Sequence, residues 1–551
     1  MSRTLFWYIF RDLLRIFLLT SAVLAGIMSF GGLLRPLTEH GLSAPQVGRI
    51  LAYFMPAMQT FALPIAALFA TTIVYGRLSA DNELTACRAT GISYWFLLLP
   101  AMVLGLALAI VSLLCLFFVV PIYNLKIERV IFSNLARVVQ NKIEQTHQLK
   151  LPEHPRLGNV SLFARGARVI APEPDRPDEQ VVVLDGPMFA TSDDRPDNRM
   201  RVPAEFFMAS SATAYLRDRR DHIELTAVLT DGVRFRRDPS AGDRASGGVG
   251  SMTFGPVALE SPIRENTKFM DIRRLRELRE NPERSRRVRK LLVKFTQRQQ
   301  ELRVLTEARD ALNSRGEWRI ASPDGVYVLR RGGRPAALVG GELRLASASP
   351  TAREVRLDRL LAGQLAATDE AQFIAVQVQA DGPSRRVLVD LRLQDVLLDS
   401  AQGRVERGGL TRLLSMPMTP QLLELGQRSA AQLMQSHSLT AAEQRELRRA
   451  LDRITADILS EWHARASFGL SCLVLVVVGC ALGMLFRSGN FLSAFALSVV
   501  PALMTVALIV TGQNIGEGSY SALGLGLAFI WSGNAAAVVL AVVLFWRLQR
   551  T

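Results

Sequence analysis

The stretch Gly76-Arg77-Leu78-Ser79-Ala80-Asp81-Asn82-Glu83-Leu84-Thr85-Ala86-Cys87-Arg88-Ala89-Thr90-Gly91-Ile92-Ser93 sets charges of both signs between two long apolar runs. Residues of this kind, spaced for a helix, suit docking to a complementary protein surface rather than bond-making. Ser79 followed by acids suits a helix N-terminus, where free amides and the helix dipole favour oxygen and negative charge. Gly91 suits a C-cap, because glycine adopts the left-handed conformation without strain. The pattern predicts a short rigid helix over about 77–91. Taken alone it is an ordinary connecting helix; in a permease without its own ATPase it would be the lever that fits a groove on a separate ATPase.

No other constellation rises to an enzyme signature. The chain lacks a Gly-x-x-x-x-Gly-Lys-Ser/Thr loop to cradle phosphates, so it is not expected to hydrolyse ATP itself. His40, His147, His154, His222, His437 and His463 show no metal-ligand spacing. The pair in Gly524-Leu525-Gly526 reads as helix packing rather than dinucleotide binding. The expectation is a non-enzyme with no catalytic residue, no cofactor and no metal.

The elements that must hold this stretch are apolar. Six runs, Ile16 to Leu34, Ile50 to Tyr75, Tyr94 to Ile122, Phe468 to Phe486, Phe491 to Thr511 and Ala522 to Trp546, reach the roughly 20 residues a helix needs to cross a bilayer. A soluble cytoplasmic enzyme is excluded. Gly479-x-x-x-Gly483 and Gly105-x-x-x-Ala109 place small residues where helices approach closely. Pro56, Pro64 and Pro501 are read first as ordinary packing features of their helices. Ionisable residues are nearly absent from the runs, which argues against a proton-coupled carrier or an ion channel. Arg3, Arg11, Arg15, Arg77, Arg88, Arg547 and Arg550 flank the runs on one side, so both termini are expected in the cytoplasm and the central body outside it.

That body, residues 123–466, carries most of the 65 Lys plus Arg and 50 Asp plus Glu. The net charge of +15 lies over a surface of mixed sign and does not argue for nucleic acid. Cys87, Cys115, Cys472 and Cys480 all fall outside the body, so it has no disulfide framework. From about 158 to 260 short alternating runs divided by Asp185-Gly186 and Asp231-Gly232 predict an antiparallel sandwich or jelly roll. A helical arm is expected over 268–315 with a break at Asn281-Pro282. A second strand-rich region follows over 317–398, with turns at Pro323-Asp324-Gly325 and Arg331-Gly332-Gly333, and then helices over 419–466. Thr440-x-x-Glu443 is a capping box opening a helix that runs toward the fourth span. The fold class is therefore an α-helical membrane protein with six transmembrane helices, three before and three after a large, mainly β, jelly-roll-like body with helical insertions. The membrane halves are 1–122 and 467–551.

The Gly-Arg-Leu-x-x-x-x-Glu-Leu-x-x-x-Arg-Ala-x-Gly-Ile-Ser pattern from Gly76 to Ser93 resembles the LptF/LptG (YjgP/YjgQ) permease family of the lipopolysaccharide exporter. Ala62-Leu63-Pro64, Glu461-x-His463-x-Arg465 and the three-plus-three topology support the resemblance. The resemblance implies a permease subunit of the inner membrane that pairs with a second LptF/LptG-like permease and binds a cytoplasmic ABC ATPase dimer. Such a subunit extracts lipopolysaccharide or a related glycolipid and passes it to a periplasmic bridge protein. It further implies that Glu83, with Arg77, Ser79, Asn82 and Arg88, forms the ATPase-coupling helix. It implies a lipid cavity lined by the first, second and fifth helices, with the first and fifth forming a lateral gate in which Ser29 and Arg35 are placed. The chain departs from the family by something like 150 to 200 extra residues. A rival reading is a membrane-anchored periplasmic scaffold or sensor that transports nothing.

Overall fold

The computed structural model describes residues 3–40, 44–132, 135–150, 159–170, 179–192, 203–218, 223–238, 242–259, 266–349, 351–361, 363–382, 384–400, 403–436, 439–485, 491–517 and 520–550. In chain order, α1 (Arg3–His40) and α2 (Ala44–Ala80) precede a short α3 (Glu83–Ala89). Next, α4 (Tyr94–Leu114) passes through a π-helical turn at Cys115–Val119 into α5 (Val120–Phe132), followed by α6 (Leu135–Thr146). Nine strands come next: β1 (Gln148–Lys150), β2 (Asn159–Phe163), β3 (Gly166–Ile170), β4 (Glu179–Asp185), β5 (Met188–Ser192), β6 (Pro203–Met208), β7 (Ser211–Asp218), β8 (Ile223–Asp238) and β9 (Gly242–Leu259). Helices α7 (Ile272–Glu280) and α8 (Arg286–Arg315) lead to β10 (Glu317–Ser322), β11 (Gly325–Arg330), β12 (Ala337–Val339), β13 (Glu342–Ala346), β14 (Val355–Leu361), β15 (Gln364–Asp381), β16 (Arg386–Ser400) and β17 (Gly403–Pro417). The chain closes with α9 (Pro420–Gly426), α10 (Ala430–Gln435), α11 (Ala441–Leu485), α12 (Phe491–Gly516) and α13 (Leu523–Arg550). It divides into two compact units, Met1–Glu277 with Ala456–Thr551, and Leu278–Thr455.

Six helices among the described residues are long and apolar enough to cross a membrane, and all but the first fifteen residues of the fourth belong to the first unit: Arg3–Gly31, Gly48–Ala80, Tyr94–Asn124, Ala441–Leu485, Val499–Gly516 and Tyr520–Leu548. Glycines let them meet backbone to backbone. A Cβ on Gly483 would stand 2.7 Å from the Thr72 carbonyl and 2.9 Å from the Gly76 amide, and one on Gly479 2.7 Å from the Leu68 carbonyl, so α2 and α11 touch along the small-residue pair. A Cβ on Gly105 would stand 3.1 Å from the Leu473 side chain of α11 and 3.3 Å from its Cα. Of the pair at 524 and 526, only Gly526 packs: its Cβ would lie 2.7 Å from the Gly512 carbonyl, whereas Gly524 has open space. Pro56 and Pro64 lie inside α2 and Pro501 inside α12.

The same unit carries a nine-stranded antiparallel sheet ordered β1-β2-β5-β6-β8-β7-β4-β3, with β9 along the other edge of β8. Alternate residues Val182, Leu184, Phe189, Phe207, Leu216, Leu225 and Leu229 form its core with Ala136 and Ile143 of α6. Each such side chain, when fully buried, contributes roughly 1.5–3 kcal/mol. Asp231-Gly232 was expected to end a strand, but β8 runs through it. Asp231 takes the left-handed conformation, φ 52°, and β8 there changes partner from β7 to β6 while β9 stays paired alongside. The turn residues sit within a strand, since pairing with β9 carries on past them, with a register shift between Val233 and Arg234, and outweighs the local preference for reversal.

The second unit holds an eight-stranded antiparallel sheet, β10-β11-β14-β15-β13-β12, extended from β15 by β16 and β17. Its long β15 pairs with β14 and then β13 on one edge and with β16 on the other. Val304, Leu305, Ala308 and Leu312 of α8 lie on the apolar face beside Leu329, Leu357, Ile374, Val376, Leu391 and Leu414. The N-terminal half of α8 packs Val288 and Phe295 against Ala430 and Leu433 of α10 and Leu447 and Ala450 of α11. The arm expected over 268–315 is broken at Asn281 and Pro282 as anticipated, and one face of α8 is core. Strand β17 was not expected; its glycines and its Arg and Glu residues disguise a strand that pairs with β16 from Gly403 to Pro417. The Thr440 and Glu443 capping box forms in full, with Thr440 N–H donating to Glu443 at 2.9 Å and Glu443 N–H donating to Thr440 Oγ1 at 3.3 Å.

Candidate functional site

The charged stretch starts while α2 is still helical. Arg77 and Ser79 occupy its last turn, and Ala80 ends it. The N–H of Asp81 donates to the Arg77 carbonyl at 2.9 Å and that of Asn82 to the Ser79 carbonyl at 3.2 Å. Asn82 then takes the left-handed conformation, φ 58°, which asparagine tolerates better than most residues, and the chain turns into α3. Ser79 therefore caps nothing: the helix begins at Glu83, and the Ser79 hydroxyl donates instead to the Met484 carbonyl near the end of α11 at 3.1 Å. The expected C-cap at Gly91 is present as a Schellman motif. Gly91, φ 85°, donates to the Arg88 carbonyl at 2.9 Å, and Ile92 to the Cys87 carbonyl at 3.2 Å.

Three ties hold this turn and helix. Tyr75 Oη donates to the Leu97 carbonyl of α4 at 2.6 Å. Ser79 reaches α11, as above. The Arg77 guanidinium pairs with the Asp12 carboxylate of α1. Both members of this last pair are partly exposed, which limits it to about 1 kcal/mol or less, so the two buried hydrogen bonds define the geometry better. Leu84 is buried and seats α3 against the helices. Arg88 lies over the Tyr94 ring at 4.3 Å and donates to its hydroxyl.

The five residues of the predicted coupling helix thus separate. Asn82 and Arg88 are exposed and Glu83 is half-buried in the first turn of α3, while Arg77 and Ser79 turn inward to α1 and α11. In the predicted cavity, Ser29 is fully buried in α1 and its hydroxyl has no hydrogen-bond partner among the described residues. Arg35 belongs to α1, and its side chain lies outside the described residues.

A second polar node received no role from sequence reasoning. Arg465 of α11 is buried with Glu461, one turn earlier, and Gln513 of α12. The spacing of four residues was a visible signal for an ion pair. Its partners around position 267 were not visible, because they lie about two hundred residues away in sequence.

The family model for the lipopolysaccharide export system permease LptF/LptG matches residues 7–299 and 400–547. The chain belongs to the LptF/LptG family. No curated protein matches it in sequence. The LptF/LptG match includes all six long apolar helices, α3, the nine-stranded sheet and β17. Residues 300–399 fall outside it and hold the second half of α8 and strands β10 to β15, with nearly all of β16. An LptF/LptG chain is a component of a lipopolysaccharide export system, so this protein is a multi-pass membrane transport component.

Proposed function

We propose that this protein is the permease subunit of an ABC-type exporter that draws lipopolysaccharide or a related glycolipid from the inner membrane. A separate ATPase dimer drives it, a second LptF/LptG-like permease completes it, and a periplasmic bridge protein receives the lipid. Both termini face the cytoplasm, and the strand-rich regions face the periplasm. The observation that carries this reading is the mounting of α3. Asn82, Glu83 and Arg88 are presented on a short helix whose base is joined to α1, α4 and α11. A push on α3 by the ATPase is therefore delivered to three spans at once. Glu83 is the contact residue, Asn82 and Arg88 flank it, and Arg77 and Ser79 transmit. Ser29, a buried hydroxyl without a hydrogen-bond partner among the described residues, and Arg35 are the residues of α1 assigned to the lateral gate.

Replacing Glu83 tests this. Glu83→Ala leaves the thermal stability of the permease unchanged, since the side chain is half-buried and makes no ion pair with a described residue. In membranes containing the complete complex, ATP hydrolysis by this variant no longer drives lipid delivery. Normal lipid export by Glu83→Ala would overturn the assignment. The scaffold reading draws on residues 300–399, which the family does not account for. It would replace the first if neither an ATPase nor a second permease co-purified with the chain.

A further inference from the structure

Arg465 heads the bulkiest fully buried side chains among the described residues. A guanidinium removed from water must have its charge and its donors answered by protein groups. Here its Nε donates to Glu461 Oε1 at 2.6 Å, and its Nη2 faces the carbonyls of Thr267, Lys268 and Met270 at 3.2, 3.2 and 3.0 Å. The Phe117 ring lies 5.0 Å from the guanidinium carbon. The other oxygen of Glu461 accepts from the Gln513 side-chain amide on α12. Arg465 thus takes hold of a segment of backbone far away in sequence and, through Glu461, ties it to α12.

A second connection joins the same two pieces. Lys268, whose carbonyl faces Arg465, points its ammonium toward Glu517 at 3.2 Å and Asn514 at 3.5 Å, both at the C-terminal end of α12. Ser460 also donates to the Gln513 carbonyl at 3.4 Å. The segment Thr267–Met270 is therefore attached to α12 twice, once through buried groups and once through partly exposed ones. Donating to Glu461 through Nε while Nη2 faces the carbonyls needs the two separated nitrogens of a planar fork, which the single nitrogen of a lysine ammonium does not supply.

We propose that Arg465 is a positioning residue that makes the segment Thr267–Met270 and the end of α12 move as one body during transport. This rests on the exporter reading above, in which α12 is the fifth span and borders the lipid route. Arg465 touches no lipid; it acts by fixing where α12 ends. The partly exposed Lys268 link follows the buried one rather than setting it.

The test uses the full chain in its membrane complex. Arg465→Lys keeps the charge and loses the fork, and lipid delivered per ATP hydrolysed is expected to fall by about tenfold, a usual size for coupling between sites. A short bis-maleimide cross-link between Lys268→Cys and Glu517→Cys replaces the lost attachment. It is expected to leave the otherwise unaltered chain active and to restore most of the delivery lost in Arg465→Lys. The control is the same reagent on the chain with its native thiols, of which Cys472 and Cys480 are fully buried. A cross-link that stops delivery in the unaltered background, or that fails to rescue Arg465→Lys, overturns the proposal. Should Arg465→Lys fail to fold, spin labels at positions 268 and 517 decide the matter. Their separation stays constant between nucleotide-free and ATP-bound states if the two pieces form one body, and a nucleotide-dependent change refutes it. Absence of any lipid delivery by the unaltered complex would count against the exporter reading instead, and the label distances would still judge the role of Arg465.

Discussion

Gly483→Ala tests the contact between α2 and α11 most directly. The added methyl carbon would stand 2.7 Å from the Thr72 carbonyl oxygen and 2.9 Å from the Gly76 amide nitrogen. Both are backbone atoms and cannot rotate away. Ordinary carbon contacts begin near 3.5 Å, so α11 must retreat by at least about 0.7 Å. Overpacking of this kind costs about 1–3 kcal/mol. The retreat also stretches the neighbouring bond from Ser79 to the Met484 carbonyl, now 3.1 Å, past hydrogen-bonding distance. That loss adds about 0.5–1.5 kcal/mol. The better helix propensity of alanine returns about 1 kcal/mol, leaving a net destabilisation of about 0.5–3.5 kcal/mol. Cys480 and Cys472 lie fully buried on the same helix, so a thiol-reactive fluorogenic maleimide reports its loosening on heating. Gly483→Ala is expected to label at a lower temperature than the parent. Gly524→Ala, which meets open space, labels at the parent temperature or slightly above. The packing argument is refuted if Gly483→Ala melts with or above the parent.

Burial pushes the Glu301 carboxyl above its ordinary value of 4.5, against the smaller opposing effects of the Ala380 amide and Arg298. The folded state therefore holds this proton more tightly than the unfolded chain does. Its stabilisation is complete below the ordinary value and is lost as pH rises through the elevated one. Resistance of the second unit to urea should weaken over that rise, and Glu301→Gln should remove the dependence. Thr440→Ala loses the arm in which the Thr440 hydroxyl accepts from the Glu443 amide and keeps the one donated by the backbone amide of residue 440, at a cost of about 1 kcal/mol to the first turn of α11. Exchange of the amides of residues 441–444 should quicken by about fivefold, the factor that such a loss implies.

The six spans were legible because length and hydropathy are local properties, and so were the Gly91 cap, the close contact at Gly479 and Gly483, and the Thr440 box. The start of α3 was not. Ser79 has the chemistry of an N-cap, but its hydroxyl meets a carbonyl 405 positions away, and α2 continues past it. Arg465 was legible as a partner for Glu461 four residues before it, and illegible as the holder of the carbonyls near position 267. The composition of β8 announced a turn at Asp231-Gly232, and only the pairing with β9 shows why the strand continues. In each case the missing information was a partner distant in sequence, which periodicity does not carry.

The boundaries of residues 300–399 determine whether the extra part of this permease can be cut away. The first boundary falls inside α8 and the second at the end of β16, so excision would cut a helix in two and take from β17 the strand it pairs with. Across them, Leu414, Met418 and Leu422 from the family portion share one core with Val304, Leu305, Ala308 and Leu312 from the added portion. Strand β17 finds its hydrogen-bonding neighbour in β16. A shortened chain joining 299 to 400 would leave β17 without that ladder and wet three side chains, each about 1.5–3 kcal/mol when buried. The addition is spliced into the architecture, and a family-length core is not contained inside this protein as a detachable part.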